Sequence, residues 1–249
     1  MCGRFTLTAE QRVVAERFGV LYPRGFAGTG GATSGSGQPS VVADKPKAGS
    51  QKRKAAFIPR YNIAPTQSVI VVNDTGQRQL VQMRWGLIPS WAKDPAIGNR
   101  MINARAETLT VKPAFRVALR KRRCLILADG FYEWQKKEKI KQPMFIRLKS
   151  REPFGFAGLW EHWNSPEGEE ILTCTIITTE ANELLKQVHE RMPVILPREK
   201  EDEWLDPNAE PSRLLELLKP YPSDLMEFYE VSRLVNSPVN DTPDCIVPV

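Results

Sequence analysis

Histidine is nearly absent from this chain: His162 and His189 are the only two among 249 residues. Neither stands at ligand spacing from cysteine or carboxylate side chains, so no metal centre and no metal catalysis are expected. Cysteine is scarce as well, at positions 2, 124, 174 and 245. The absence of any CxxC pair argues against a zinc site or a disulfide framework, and for free thiols in a reducing compartment. No apolar run approaches the roughly 18 residues that span a bilayer. Arg4, Glu10, Arg12, Glu16 and Arg17 near the start are incompatible with a secretory signal. Internal repeats and the P-loop, GxGxxG, HExxH and GxSxG patterns are also missing, so no cofactor is expected.

What the chain does have is positive charge, unevenly placed. The net charge is +6, yet residues 24–56 carry Arg24, Lys45, Lys47, Lys52, Arg53 and Lys54 against Asp44 alone. Global basicity therefore says little about the rest. Within that rest, residues 100–149 hold fourteen Lys or Arg against Glu107, Asp129, Glu133 and Glu138, whereas residues 152–206 are acidic. A basic face opposed by an acidic one suits an anionic polymer, although solvated surface is the plainer reading of any single run such as 136–141.

Residues 24–56 also contain seven of the sixteen glycines and few large apolar groups, too few to offset the entropy of ordering them. They read as a flexible insertion within one domain spanning 1–249, because the segment before them is too short to fold alone. That first segment holds a strand-like start and a helix, with Thr8 as N-cap, Gln11 three residues on, Val13, Val14 and Phe18 on a shared face and Gly19 as the stop. Downstream, strands are expected at 68–72, 80–85, 124–128, 143–148, 154–160, 171–178 and 194–196, and helices at 113–121, 180–189, 198–204 and 211–218. The mixture lacks a regular strand-helix repeat. It predicts an α+β domain with a curled, largely antiparallel β-sheet core and surrounding helices.

The chemistry begins at the second residue. Methionine removal tolerates a small residue such as Cys2, and it would leave an amine and a thiol on adjacent carbons. Their reference pKa values, about 8 and about 8.5, leave both partly nucleophilic at neutral pH. Such a 1,2-aminothiol condenses with aldehydes, the amine forming an imine and the thiol closing a thiazolidine ring. The other use of an N-terminal cysteine is hydrolytic, with the amine as base for its own side chain. A cysteine at position 2 by chance is the plainer reading.

MetCysGlyArgPhe at 1–5 is followed by ArgTyrAsnIleAlaPro at 60–65, IleAsnAlaArgAlaGluThr at 102–108, AspGlyPheTyrGluTrp at 129–134 and ValHisGluArgMetPro at 188–193. These motifs, in this order, resemble the SRAP family, the SOS-response-associated peptidases or abasic-site-processing proteins. The resemblance runs over nearly the whole chain, with the glycine-rich insertion as its main departure. It implies a single SRAP-type domain that senses abasic sites in single-stranded DNA and links to them covalently through Cys2 after Met1 is removed. Lyase-like chemistry and peptidase or autopeptidase activity are further implied.

By the same resemblance, Asn103 holds the N-terminus, Glu133 senses the abasic site and moves protons, and His189 stabilises the crosslink or helps reverse it. Glu133 follows an apolar run that AspGly interrupts, which predicts a carboxylate on a loop at a sheet end, partly buried and raised in pKa. Arg4, Arg105 and Arg191 match phosphate-binding arginines. Asn62, Pro65, Trp91 and Trp134 match surfaces that grip or wedge bases, and Thr178 belongs to the same DNA-binding region. Stacking on an aromatic contributes about 1 to 3 kcal/mol per base without regard to sequence. Taken alone, these residues have plainer readings: a turn for Asn103, solvated surface for Glu133, a helix end or core for His189, and core for the tryptophans. His162 matches no functional position.

The implied partner is single-stranded DNA containing abasic sites, with replication-fork proteins as further candidates, no membrane, and a monomeric state. The compartment would be cytoplasmic and nucleoid-associated in a bacterium, or nuclear in a eukaryote. Two rival functions are a cysteine peptidase and a non-covalent reader of DNA or modified bases.

Overall fold

A computed structural model of the chain describes residues 2–20, 57–138 and 140–249. Met1 and the insertion expected over 24–56 lie outside the described residues. Chain order begins with β1 (Phe5–Leu7), α1 (Gln11–Phe18), β2 (Arg60–Ile63), β3 (Ser68–Asp74), β4 (Arg78–Trp85) and β5 (Asn103–Arg105). It continues with α2 (Pro113–Lys121), β6 (Arg123–Ala128), β7 (Gly130–Lys137), β8 (Ile140–Leu148), β9 (Phe154–Asn164) and β10 (Glu170–Glu180). The last elements are β11 (Arg191–Pro193), α3 (Glu201–Leu205), α4 (Pro211–Glu216) and β12 (Met226–Glu230).

The fold is α+β, and its sheet is curled to the point of closure. β9 pairs with both β6 and β10, which joins β10, β4, β3, β6 and β9 into a five-stranded barrel. β5 and β11 attach along β10. A second sheet, in the order β12-β8-β7-β1-β2, is antiparallel throughout and packs against the barrel. Among the described residues, the parallel pairs are those of β10 with β4 and β5. Edge-to-face contacts join the two layers: Phe5 meets Trp85 at 5.0 Å and Phe156 at 5.8 Å, and Phe131 meets Phe156 at 5.9 Å between ring centroids. β6 is buried along its whole length, as a strand covered on both faces must be, and this is why it reads as an unbroken apolar run.

Two polar devices fasten the layers. The buried Arg123 guanidinium donates to the carbonyls of Leu119 and Arg120 at the end of α2 and of Trp204 and Asp206 at the end of α3. A cation thereby satisfies the orphan carbonyls of two helix C-termini. Asp129, at the corner between the barrel and the second sheet, accepts from the hydroxyls of Thr6 and Thr8 and the backbone N–H groups of Thr8 and Ala9.

That corner corrects the expected helix start. Thr8 does not cap α1; Glu10 occupies the N-cap position without a side-chain bond, and Thr8 is engaged by Asp129. Val14 and Phe18 are buried as expected, but Val13 is exposed. Gly19 does end the helix, at φ 60°. The expected helix at 180–189 is also absent: β10 runs on to Glu180, and one 3-10 turn covers Leu185–Gln187. Asn182 initiates that turn by accepting from the Leu185 N–H at 2.9 Å. The strand expected at 194–196 lies earlier, at β11, leaving an isolated bridge between Ile195 and Phe156. The 198–204 helix is a 3-10 turn at Arg198–Lys200 followed by α3, and α4 stops at Glu216.

Candidate active site

Cys2 stands three residues ahead of β1 and is held from both layers. On the sheet side, β1 lies between β2 and β7, and the Tyr132 N–H donates to the Arg4 carbonyl at 2.9 Å. On the barrel side, the Asn103 side chain donates from Nδ2 to the Cys2 carbonyl at 2.7 Å. Asn103 is therefore not a turn residue: it opens β5, in register with Ile176 of β10. Its Oδ1 is buried and accepts no hydrogen bond among the described residues.

Glu133 lies within β7, opposite Met144 of β8, and not on the loop its AspGly neighbours suggest. Gly130 is a strand residue too, required because a Cβ there would come within 2.2 Å of the Phe145 ring. The Glu133 side chain is buried, and burial raises its carboxyl above the usual range while the charge of His189 draws it down. The Cys2 thiol is fully buried; burial first, and the nearby Glu133 charge second, push it far above the ordinary thiol range. At neutral pH the sulfur is a thiol and not a thiolate.

His189 follows the 3-10 turn and precedes β11. Its Nδ1 accepts the Arg191 N–H at 3.0 Å, so the neutral ring carries its proton on Nε2. Glu133, Trp134, Lys141, His189, Arg233 and Asn236 line one open cleft of about 520 Å³, within the range of small-ligand sites. The Trp134 indole donates to Asn236 Oδ1 at 2.8 Å, and the Arg4 guanidinium lies 5.9 Å from its ring centroid. Lys141, Arg233 and Asn236 were not singled out from the sequence. Lys141 sits in a lysine run that reads as solvated surface, and Arg233 and Asn236 lie in a carboxy-terminal segment with no motif.

The expected DNA-contacting residues divide by exposure. Trp91 is 60% exposed and borders a groove with Lys93, Ile97 and Arg100. Arg105 is exposed on a neighbouring groove with Arg100 and Lys112, and Pro65 is half-buried. Asn62, in contrast, faces inward. It is fully buried, its Nδ2 donates to the carbonyls of Val235, Ser237 and Asn240, and its Oδ1 accepts from Arg4 at 2.7 Å. Its amide locks the carboxy-terminal segment and is buried away from the surface. Arg4 also donates to the Val235 carbonyl, so one amino group of its fork is occupied. Thr178 is fully buried, and its carbonyl accepts from Arg191 at 2.7 Å. Arg191 is paired with Glu107, a residue that the sequence reading passed over. His162 lies at the surface beside Glu170.

The arrangement matches known proteins along its full length. The family described as SOS response associated peptidase (SRAP) matches residues 1–238. The abasic site processing protein YoqW of Bacillus subtilis (strain 168) is 47% identical over 251 residues, with 99% of each chain covered. The abasic site processing protein HMCES of Gallus gallus is 36% identical over 231 residues, covering 79% of this chain and 68% of that protein. A crystal structure of a protein from Bacteroides thetaiotaomicron superposes with a TM-score of 0.80 at 27% identity, with both chains covered completely. With barrel, flanking sheet and motif residues all in the matched region, the chain belongs to the SRAP family.

Proposed function

We propose that this protein recognises abasic sites in single-stranded DNA and bonds to them through Cys2 once Met1 has been removed. The observation that carries this reading is the placement of Cys2 between Asn103 and Glu133, beside a cleft that also contains His189. The relatives named abasic site processing protein supply the class of substrate.

The burial of the Cys2 thiol favours an order in which the amine acts before the sulfur. With little thiolate available, the α-amine of Cys2 attacks first. The aldehyde of the ring-opened deoxyribose and the amine form an imine, and the carbonyl oxygen leaves as water. The thiol then adds across the C=N bond: sulfur bonds to carbon, its proton ends on nitrogen, and the thiazolidine closes. A buried carboxyl with a raised pKa suits the proton movements of ring opening, water loss and ring closure, so Glu133 serves as the general acid and base. His189, with its Nε2 proton, assists at the sugar oxygen. Asn103 fixes the Cys2 carbonyl, and its remaining Oδ1 suits the ammonium that Met1 removal creates. An abasic nucleotide has no base to unstack, so its entry into the cleft costs little compared with flipping an intact one. The peptidase reading requires an activated thiolate, which the burial of Cys2 disfavours.

The test is incubation of the processed protein with abasic single-stranded DNA, followed by denaturing electrophoresis. A retained adduct is expected. Binding that disappears on denaturation would leave only a non-covalent reader, and a released peptide without an adduct would favour a protease.

A further inference from the structure

Arg191 opens β11, and its side chain is 16% exposed, whereas that of Glu107 is 55% exposed. Nη1 of Arg191 donates to Oε1 of Glu107 at 2.8 Å, and Nη2 donates to Oε2 at 3.1 Å. Both carboxylate oxygens therefore meet the guanidinium fork. Nη2 also donates to the Thr178 carbonyl at 2.7 Å, which fixes the plane of the fork from the barrel side. Thr178 is in register with Arg105, the last residue of β5, and the 3-10 turn Ala106–Thr108 that follows carries the Glu107 carboxylate. The Arg191 hydrogen bond holds the Glu107 carboxyl below the usual range, so it is ionised at neutral pH.

A planar guanidinium presents the same two-pronged donor set to a carboxylate and to a phosphate. We propose that Glu107 is an internal competitor that occupies the phosphate position on Arg191 in the DNA-free protein and must be displaced when the strand binds. The inference rests on the reading of Arg191 as a phosphate contact. It has two consequences. Binding of any strand is weakened by the lost ion pair, so undamaged DNA is held less tightly than the basic surface alone would hold it. The pair also carries no net charge, so the displaced Glu107 leaves an anion beside the strand and offsets the counterion release that an Arg191 phosphate contact would give.

Fluorescence anisotropy with undamaged single-stranded DNA, across a salt series and with the full chain, tests both. Glu107→Gln should bind about fivefold more tightly, the scale of a half-exposed ion pair. The slope of log affinity against log salt should steepen by about 0.7, one single-strand phosphate contact. In an Arg191→Ala background the same Glu107→Gln change should give no gain. Weaker or unchanged binding by Glu107→Gln would make Glu107 a mere buttress and overturn the proposal. An equal gain in the Arg191→Ala background would reduce it to generic charge removal and also overturn it. If Arg191→Ala alone changes neither affinity nor slope, the phosphate role of Arg191 fails, and the proposal fails with it. If Arg191→Ala weakens binding while Glu107→Gln gains nothing, the role of Arg191 stands and only that of Glu107 is lost.

Discussion

Glu133 is a site residue whose surroundings oppose its own charge. Burial raises its carboxyl above the usual range. A carboxyl with a folded pKa above its unfolded value contributes stability that is fully present below the unfolded pKa and is lost as pH rises through the folded value. Ionisation of the side chain as the pH rises therefore works against the fold. Glu133→Gln is expected to melt at a higher temperature than the wild type at pH 7, with the difference shrinking as the pH falls toward about 4. Its crosslinking should slow by about 10²- to 10⁴-fold, the usual contribution of a general acid or base, while binding to undamaged strands persists. A rate equal to wild type between pH 5 and 8 would remove Glu133 from the chemistry. At this scale motif order and context single out Cys2, Asn103, Glu133 and His189, and the fold brings Asn103 and Glu133 to Cys2. The surroundings of Asn62 were not legible, because nothing in ArgTyrAsnIleAlaPro reveals that a segment 170 or more positions later will bring three carbonyls to one amide.

Among the elements, β6, β9 and β10 were legible because each contains a long buried run rich in apolar, aromatic or β-branched residues. β7 was not, since Gly130 and Asp129 imitate a turn and GlnLysLys at its end imitates solvent-facing loop. The glycine is there for space, not for a bend. Gly130→Ala would drive a methyl group to within 2.2 Å of Phe145, so it should destabilise the fold by about 1–3 kcal/mol, measured by urea unfolding. A neutral Gly130→Ala would mean that β7 and β8 can separate locally, contrary to the packing described. β5 escaped notice and β11 was expected three residues too late for a different reason: each has three residues, too short for periodicity, and pairing with β10 defines them. The missing 180–189 helix reflects competition, with β10 extending its ladder through Glu180 where helix propensity alone would start a turn.

For the whole molecule, two layers meet along an aromatic seam, and the site lies where β1, β5 and β7 converge beside it. Residues 24–56 contribute none of the motif residues, and Lys45, Lys47, Lys52, Arg53 and Lys54 lie within them. Deleting 25–55 should therefore leave adduct formation intact and flatten the salt dependence of non-covalent DNA binding, because fewer cations remain to neutralise phosphates. Loss of the adduct in a folded deletion variant would place part of the site within that segment. The central claim concerns the amino terminus itself. A thiol alone gives an aldehyde adduct that falls apart on denaturation, and an acylated amine cannot form the imine that a thiazolidine needs. The decisive measurement compares protein verified by mass spectrometry to begin at Cys2 with protein verified to retain Met1, each incubated with abasic single-stranded DNA and resolved under denaturing conditions. A stable adduct is expected from the first and none from the second; equal adduct from both would contradict the thiazolidine and require a thiol-only or lysine linkage in its place.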